Sequence, residues 1–520
     1  TLFRSNSHRQ YLTGQLIAEY KGVFGKHDIN VLGGWSAEEN LYEDLQGKRT
    51  NIVGNELPAL NLGDTDGWSN AADENEWALL SGFMRASYAF AAKYLVEVNF
   101  RADASSRFSK KNRWGVFPSA SVGWRITEEK FMQNQHIFDN LKLRASWGQL
   151  GNQNGLGLYD HIASYNINGY YPFKSELGQW AVISKLPSES RTWETVEVKN
   201  IAVDMAFLRN RLTVTGEYFI KKNKDMLVSI EIPSIIGIDV PTGNYGELKV
   251  KGWEVTVGWQ DKIKDFSYGA RFNLSDQKDK LVDYGVEYNG FVAGVNQKVQ
   301  GYSLGSIFGY RTDGYFTSEE EVKNSAAFNK AITGVGDIKY IDKDGDGKIS
   351  APNDLEYLGT TTPRYTFGLN LTAAWKGFDL GVLLQGVGKR NFYLSSEVMN
   401  PYYATWNNFS YKMHNDYWTP ENPNAAFPRY YAGANHNYQI SDHWLQNAAY
   451  VRLKNLQLGY TISPKLTKSW GIQRLRVYFS GDNLCEYSKL NDNFDPELSN
   501  INGYVYPIMR NFSFGINVTL

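Results

Sequence analysis

The chain is poor in the features on which several protein classes depend. Its 520 residues include one cysteine, Cys485, and 15 prolines, and 54 Lys and Arg residues nearly balance 55 Asp and Glu residues. A single cysteine excludes an internal disulfide framework and a cysteine-based zinc site. A net charge of −1 gives no concentrated basic surface, so we expect no nucleic-acid partner.

Three further features are missing from the sequence, and each absence narrows the class of protein. No apolar run approaches the roughly 18 residues that a membrane-spanning helix needs. The first residues, TLFRS, lack the Met, the basic stretch and the apolar stretch of a signal peptide, so we expect either a processed chain or the later part of a longer protein. The sequence contains no nucleophile elbow, Cys/His pair or phosphate-binding loop, and therefore does not predict an enzyme.

Aromatic residues and glycine are abundant, and the regular segments alternate with a period of two. The chain has 34 Tyr, 27 Phe, 15 Trp and 48 Gly. Near its end, apolar residues alternate with small or polar ones, the apolar set being Phe512, Phe514, Ile516, Val518 and Leu520. Such alternation predicts strands with one apolar and one polar face. These strands suit either a soluble β-protein or a transmembrane barrel whose apolar face meets lipid.

Segment length and connection length favour the transmembrane barrel. The segments run about ten residues, which suits a tilted membrane-crossing strand. Short connections alternate with long ones. Outer-membrane barrels show this pattern, because their periplasmic turns are short and their outer loops are long. The segment 302–312 is not counted as a complete span, because that would place the long 391–445 connection inside. It is expected to be part of an outer loop or an extension of a strand. Fifteen strands are predicted, near 11–21, 28–38, 79–90, 94–103, 115–126, 140–149, 196–207, 211–222, 246–260, 265–276, 363–375, 378–390, 448–461, 474–485 and 507–520.

Several motifs resemble the SusC/RagA-type TonB-dependent outer-membrane transporters, in family order and along essentially the whole chain. They are RADASSRFSKKNRWGVFPSASVGWRI (101–126), LKLRASWGQLGNQN (141–154), LGSIFGYRTDGYF (304–316), GDIKYIDKDGDGKI (336–349), WTPENPNA (418–425) and YVRLKNLQLGY (450–460).

The resemblance implies an all-β fold, a transmembrane antiparallel β-barrel with about fifteen of about 22 strands in this chain. Residues 1–520 would be the C-terminal part of the barrel, with the N-terminal plug and the first strands absent from the chain. The implied location is the outer membrane of a Gram-negative bacterium, in contact with outer-membrane lipid.

The resemblance also implies TonB-dependent active import of a bulky nutrient, an oligosaccharide, together with a SusD-like surface lipoprotein. The TonB complex would act through the missing N-terminal region. Two alternatives remain open: oligopeptide import by the same architecture, and a passive porin or structural barrel.

An acidic motif in the long 278–362 connection predicts a metal site. Asp342, Asp344 and Asp346 stand at alternate positions before a glycine, as at the start of an EF-hand-type calcium loop. Lys348 offers a backbone carbonyl, and Asp354 offers a closing carboxylate one position late. We expect Ca²⁺ here, with a solvated, metal-free acidic turn as the alternative.

Two other sets of residues are candidate substrate contacts. In the 391–445 connection, Tyr402, Tyr403 and Trp406 offer flat rings that stack on sugars. The alternative is that these aromatics pack the loop itself, because so long a loop needs its own small core. A set of cations on the expected lumen face either steers an anionic substrate or pairs with plug carboxylates; it comprises Arg85, Arg101, Arg125, Lys142 and Arg144.

Overall fold

The computed structural model describes residues 1–54, 56, 58–173, 176–229, 235, 242–285, 291–395, 398–402, 410–491, 494–498, 506 and 508–520. Two compact units divide the chain: Thr1–Gln133 with Leu143–Ile201 and Lys221–Leu248, and Asn134–Lys142 with Ala202–Ile220 and Lys249–Leu520. Among the described residues, no helix has the length and the apolar character needed to cross a membrane.

Fifteen strands form one large sheet, each hydrogen-bonded to its neighbours in chain order. They are β1 (Leu2–Phe24), β2 (His27–Arg49), β3 (Ser69–Phe90), β4 (Tyr94–Ser105), β5 (Trp114–Arg125), β6 (Phe138–Asn152), β9 (Glu194–Phe207), β10 (Leu212–Val228), β11 (Gly243–Ile263), β12 (Phe266–Asp283), β18 (Arg364–Trp375), β19 (Phe378–Lys389), β22 (Tyr450–Thr461), β23 (Arg474–Ser488) and β24 (Asn511–Thr519).

These are the fifteen predicted strands, in the predicted order, and the all-β barrel fold is confirmed. The strands β1 and β2 run 23 residues each, well beyond the predicted segments. The order of the sheet begins at β1 and ends at β24, so these two strands do not pair with each other.

The remaining strands lie in the long connections. They are β7 (Ser164–Phe173), β8 (Glu176–Lys185), β13 (Gly294–Gln297), β14 (Ser306–Tyr310), β15 (Thr312–Tyr315), β16 (Ile338–Tyr340), β17 (Leu355–Thr360), β20 (Asn391–Tyr393) and β21 (Leu445–Asn447), with the helices α1 (Glu319–Asn324) and α2 (Pro464–Thr467). The strand β14 pairs with β13 and β17 in a separate sheet. The prediction that 302–312 is not a complete span of the barrel is therefore confirmed.

Among the described residues, many large side chains on the apolar face of the large sheet are exposed. On β24, Phe514 is 84% exposed, and Phe512 and Ile516 are also exposed. In water, a row of large exposed apolar side chains along one strand is unfavourable. Lipid is the solvent that suits this face, which agrees with a transmembrane strand.

A cluster of buried apolar residues lies in the long connections of the second unit. Here Tyr310, Ile338, Leu355, Phe392, Val398, Phe427 and Trp444 are members of one cluster, which we call the loop core. The sheet therefore supplies a wall, while the connections carry a packed interior of their own.

Candidate functional site

The acidic motif forms a tight loop between β16 and β17. Gly345 and Gly347 both adopt positive φ, 76° and 81°, which glycine tolerates at no steric cost. Their backbone N–H groups donate to the two carboxylate oxygens of Asp342, each at 2.8 Å. Burial disfavours the charge of this carboxylate, but the N–H groups of Gly347 and Gly345 outweigh it and hold the Asp342 pKa below its usual value.

Three carboxylates of this loop converge. Oxygen atoms of Asp342, Asp344 and Asp354 lie within 4.8 Å of one another. Ligands on opposite sides of a Ca²⁺ ion, each at 2.3–2.6 Å, are separated by about 5 Å. The oxygen-only donor set and this spacing fit Ca²⁺.

The loop orients Asp354 by burial and hydrogen bonds. Its side chain is 1% exposed and accepts from the backbone N–H groups of Lys343 and Ser350, at 2.8 and 2.7 Å. The carboxylate of Asp346, by contrast, accepts from the N–H of Lys348 at 2.8 Å and is not part of the trio. The structure thus brings together three of the five residues in the sequence-based set.

Several described aromatic residues of the 391–445 connection contact one another. The rings of Tyr402 and Tyr430 meet edge to face, with centroids 5.3 Å apart. Trp444 is 1% exposed and contacts both Phe427 and Tyr438, at 5.7 Å between centroids. Tyr403 and Trp406 lie outside the described residues, so their part in substrate binding stays a prediction.

A buried carboxylate links two parts of this loop region. Asp337 is fully buried and accepts from the Asn437 amide at 2.8 Å, the Tyr431 hydroxyl at 2.9 Å and the Gly334 N–H at 2.8 Å. His436 Nε2 lies 3.0 Å from the same carboxylate. Arg429 Nη2 also lies 3.9 Å from this carboxylate. Because the partners come from the segments near 334 and 429–437, Asp337 holds these segments together.

The strands β7 and β8 form a two-stranded hairpin, the aromatic hairpin, with no other strand in its sheet. Its rings face solvent: Tyr170 is 68% exposed and Trp180 is 39% exposed, and Tyr165 is also exposed. The predicted strands leave this stretch in the connection between residues 149 and 196, and the hairpin was not among them. Its signal was present in the β-forming segments SYNINGYYPF and ELGQWAVISK.

The base of the aromatic hairpin is fixed by Asp160. Its carboxylate receives Lys185 Nζ at 2.8 Å and Arg191 Nη1 at 2.6 Å, and it accepts from the Gly157 N–H at 3.0 Å. Burial opposes the charge, but hydrogen bonds from Lys185, Gly157 and Arg191 prevail and lower the Asp160 pKa to about 2.

The polar face of the sheet carries paired charges. In the second unit, Arg476 Nε donates to Asp379 at 2.9 Å. In the first unit, Arg101 Nε pairs with Asp103 at 2.9 Å and Arg125 with Glu128 at 3.1 Å. The candidate lumen cations Arg101 and Arg125 therefore have partners within this chain. A cavity of about 930 Å³ opens on the polar face of the second unit; its lining includes Arg211, Asp261, Arg271, Asn370, Asp379 and Gln457.

A sheet of long strands with an uncovered apolar face and a charged opposite face defines a membrane β-barrel protein. The family model described as TonB dependent receptor-like, beta-barrel, matches residues 2–484, and the chain belongs to this family. The family expected from the sequence is confirmed.

The alignments with known relatives cover most of this chain but only about half of each relative. TonB-dependent receptor P26 of Formosa agariphila is 30% identical over 530 residues, 96% of this chain and 52% of the relative. TonB-dependent receptor SusC of Bacteroides thetaiotaomicron is 28% identical over 463 residues, 85% of this chain and 43% of the relative. The chain thus spans about half the length of the curated relatives it matches.

A solved structure shares the fold. A chain of the RagAB peptide transporter superposes with a TM-score of 0.85 at 24% identity, covering 99% of this chain and 56% of that chain.

Proposed function

We propose that this chain forms barrel wall, lumen and outer loops of a TonB-dependent importer that moves an oligosaccharide across the outer membrane. The match of residues 2–484 to the receptor β-barrel family carries the proposal. The two unlike faces of the fifteen-stranded sheet support it, since one suits lipid and the other a wet lumen.

The aromatic hairpin supports a glycan as the substrate. Tyr165, Tyr170 and Trp180 present exposed flat rings, and such rings stack on sugar rings. The second candidate is an oligopeptide, favoured by the likeness to the RagAB peptide transporter. The amide and charged side chains of the polar face could hydrogen-bond either substrate.

The proposal includes partners outside this chain. A SusD-like surface lipoprotein would cover the barrel mouth, and the TonB complex would supply energy through an N-terminal plug. Further barrel strands would pair with β1 and β24, the two ends of the sheet, because unpaired backbone groups in lipid each cost several kcal/mol.

The acidic loop is proposed to hold Ca²⁺, with Asp342, Asp344 and Asp354 as carboxylate ligands. The ion would neutralise three converging charges and hold the loop against β16 and β17. Its role is structural in this proposal, and the transported substrate does not contact it.

Binding measurements on protein purified from outer membranes test the substrate. Calorimetry against an oligosaccharide panel and an oligopeptide panel should show binding to the first. Replacing both Tyr170 and Trp180 with Ala should weaken it by about tenfold, as expected for hot-spot aromatics. The matched control is Tyr487→Ala, which removes an exposed ring outside the hairpin. Binding of peptides alone would reverse the assignment of the substrate.

A second test concerns the assignment of the faces. Val122 is exposed on the apolar face of β5, and Ser121 lies on the opposite face. Val122→Arg should cost roughly 2–4 kcal/mol near the membrane centre, whereas Ser121→Arg should be nearly silent. A folding assay in lipid that gave the opposite ranking would invert the faces.

A further inference from the structure

The first three strands of the large sheet continue well beyond the length that a membrane needs. Their outer parts, residues 2–12 of β1, 38–49 of β2 and 69–79 of β3, remain paired with one another and form what we call the fin. Tyr11 lies 13 residues before Phe24, where β1 ends at the short β1–β2 turn. With a rise of 3.3 Å per residue and a tilt of about 40°, this corresponds to about 33 Å. The apolar band of a barrel is about 25 Å tall, so the fin stands outside the lipid.

The aromatic residues of the fin lie on one face. Ser36 and Ser81 pair on the polar face of the sheet, and Asn40 and Trp77 pair four residues further along the same face. The register and the alternation of side chains place all the Tyr, Trp and Phe residues of the fin on this inner face, namely Phe3, Tyr11, Tyr42 and Trp77. Across the described fin residues, the opposite face has none. The aromatic residues therefore face the space above the lumen.

Three of these residues, Tyr11, Tyr42 and Trp77, form what we call the fin platform. The rings of Tyr11 and Trp77 lie with their centroids 6.2 Å apart, on either side of Asn40. Tyr11 is 51% exposed, and its hydroxyl donates to Glu38 at 2.7 Å, which orients the ring. These are exposed flat rings with a polar tip, the kind of surface on which sugar rings stack.

Hydrogen-bonding groups follow the rings along the same face. Asp44 lies directly opposite Asp73. Gln46 donates to Asp44, and Asn75 donates to Asp73 at 2.7 Å. Opposed carboxylates repel each other, and hydroxyl donors placed between them would relieve this repulsion. From Trp77 to Asp73 the strand rises about 13 Å, which suits a short oligosaccharide better than a single sugar.

The fin platform adjoins the base of the aromatic hairpin, within the same unit. The backbone N–H of Glu76, next to Trp77, donates to the Tyr159 hydroxyl at 2.9 Å. Tyr159 directly precedes Asp160, which fixes the hairpin. The Tyr159 ring is itself exposed. Exposed rings therefore continue from the fin platform to the hairpin base.

We propose that the fin platform is a binding subsite for a linear, neutral oligosaccharide. The inference rests on the proposed function and gives the transported glycan a second contact surface on the fin. Sugar rings stack on Tyr11 and Trp77, and sugar hydroxyls donate to Asp44 and Asp73. The carboxylates of this face disfavour an anionic sugar. An extended peptide binds a sheet by adding a strand at an edge, whereas the platform lies on a face whose backbone groups are already paired.

Calorimetry on the full-length protein, purified from outer membranes in detergent, tests the proposal. The probes are neutral hexasaccharides from plant, algal and animal glycans, with oligopeptides of similar length for comparison. Trp77→Ala should weaken binding of the hexasaccharide by about tenfold, as expected for a stacked aromatic residue. Trp77→Phe keeps a flat ring and should restore most of the affinity. The matched control is Leu45→Ala, which removes an exposed apolar side chain from the opposite face of the fin.

Two further variants keep the test independent of folding. Tyr11→Ala changes a half-exposed side chain, and Asp44→Asn preserves size while it removes a charge. Both should weaken hexasaccharide binding and leave the thermal unfolding temperature unchanged.

Failure of this inference can be distinguished from failure of the proposed function. Unchanged hexasaccharide affinity in both Trp77→Ala and Tyr11→Ala, with affinity still lost in the double variant of Tyr170 and Trp180, would overturn the fin subsite and leave glycan import standing. Binding of oligopeptides but of no oligosaccharide by the unmodified protein would overturn both.

Discussion

The two aromatic-rich regions outside the large sheet use their rings in opposite ways. In the loop core of the second unit, Phe427 and Trp444 are buried and contact each other. In the aromatic hairpin of the first unit, Tyr170 and Trp180 remain exposed. The sequences of the two regions are similarly rich in Tyr and Trp.

The difference follows from the number of layers that each region supplies. The long connections of the second unit bring several strands and turns together, so that apolar side chains meet from more than one side. A lone two-stranded hairpin has no second layer and cannot bury either of its faces. Aromatic content alone therefore does not identify a binding surface. The rings that are free to bind are those in a region too small to form a core.

The largest expected effect is the difference in stability lost when a tryptophan is replaced in the loop core or in the aromatic hairpin. Trp444→Ala should destabilise the loop core by about 3–5 kcal/mol, because it removes a fully buried indole and leaves a cavity. Trp180→Ala should change stability by less than about 0.5 kcal/mol, as surface substitutions do. Hydrogen exchange and limited proteolysis of the outer loops measure both. Equal effects would show that the hairpin packs as the loop core does.

The buried carboxylate of the second unit should give the next largest effect. Asp337→Ala removes the shared acceptor of Asn437 and Tyr431, so we expect a loss of about 3 kcal/mol. Faster hydrogen exchange should appear in residues 334–341 and 429–438 together. Asp313→Ala, an exposed acid that pairs with Lys339, serves as the control and should change little. Unchanged exchange in Asp337→Ala would mean that packing alone holds these segments.

The aromatic hairpin is held by the ion pairs of Asp160, and acid should weaken them. The folded-state pKa of Asp160 is about 2, below its ordinary value of 3.8. Its contribution is therefore complete above about pH 4 and is lost as the pH falls through 2. Asp160 contributes about 2 kcal/mol to the stability of the folded state at neutral pH. Proteolysis of the hairpin by an acid-active protease should accelerate as the pH falls from about 4 to about 2. The variant Asp160→Asn should abolish this pH dependence. A pH-independent rate in the unmodified protein would contradict the role of Asp160.

The same contrast explains what could be predicted from the sequence. The fifteen strands were predictable because lipid and lumen impose opposite requirements on alternate residues such as Phe514 and Ser513. The aromatic hairpin could not be predicted from alternation, because it faces solvent on both sides. Its only signal was the content of β-forming residues in SYNINGYYPF and ELGQWAVISK. The trio in the acidic loop departs from the D-x-D-x-D spacing because hydrogen bonds decide which carboxylates turn inward. Asp346 turns toward the N–H of Lys348, whereas burial directs Asp354 into the trio.

The smallest expected effect concerns the acidic loop, which joins the loop core through the buried side chain of Ile349. If the trio holds Ca²⁺, a tenfold excess of the ion over its dissociation constant stabilises the loop by about 1.4 kcal/mol. Asp344→Ala should remove this gain, and Asp346→Ala, whose carboxylate lies outside the trio, should keep most of it. Thermal unfolding with calcium and with a chelator gives the comparison, and the hairpin should respond to neither condition. A calcium effect that Asp346→Ala abolishes and Asp344→Ala retains would reassign the ligands, since the ion would then require the carboxylate that the structure turns toward Lys348.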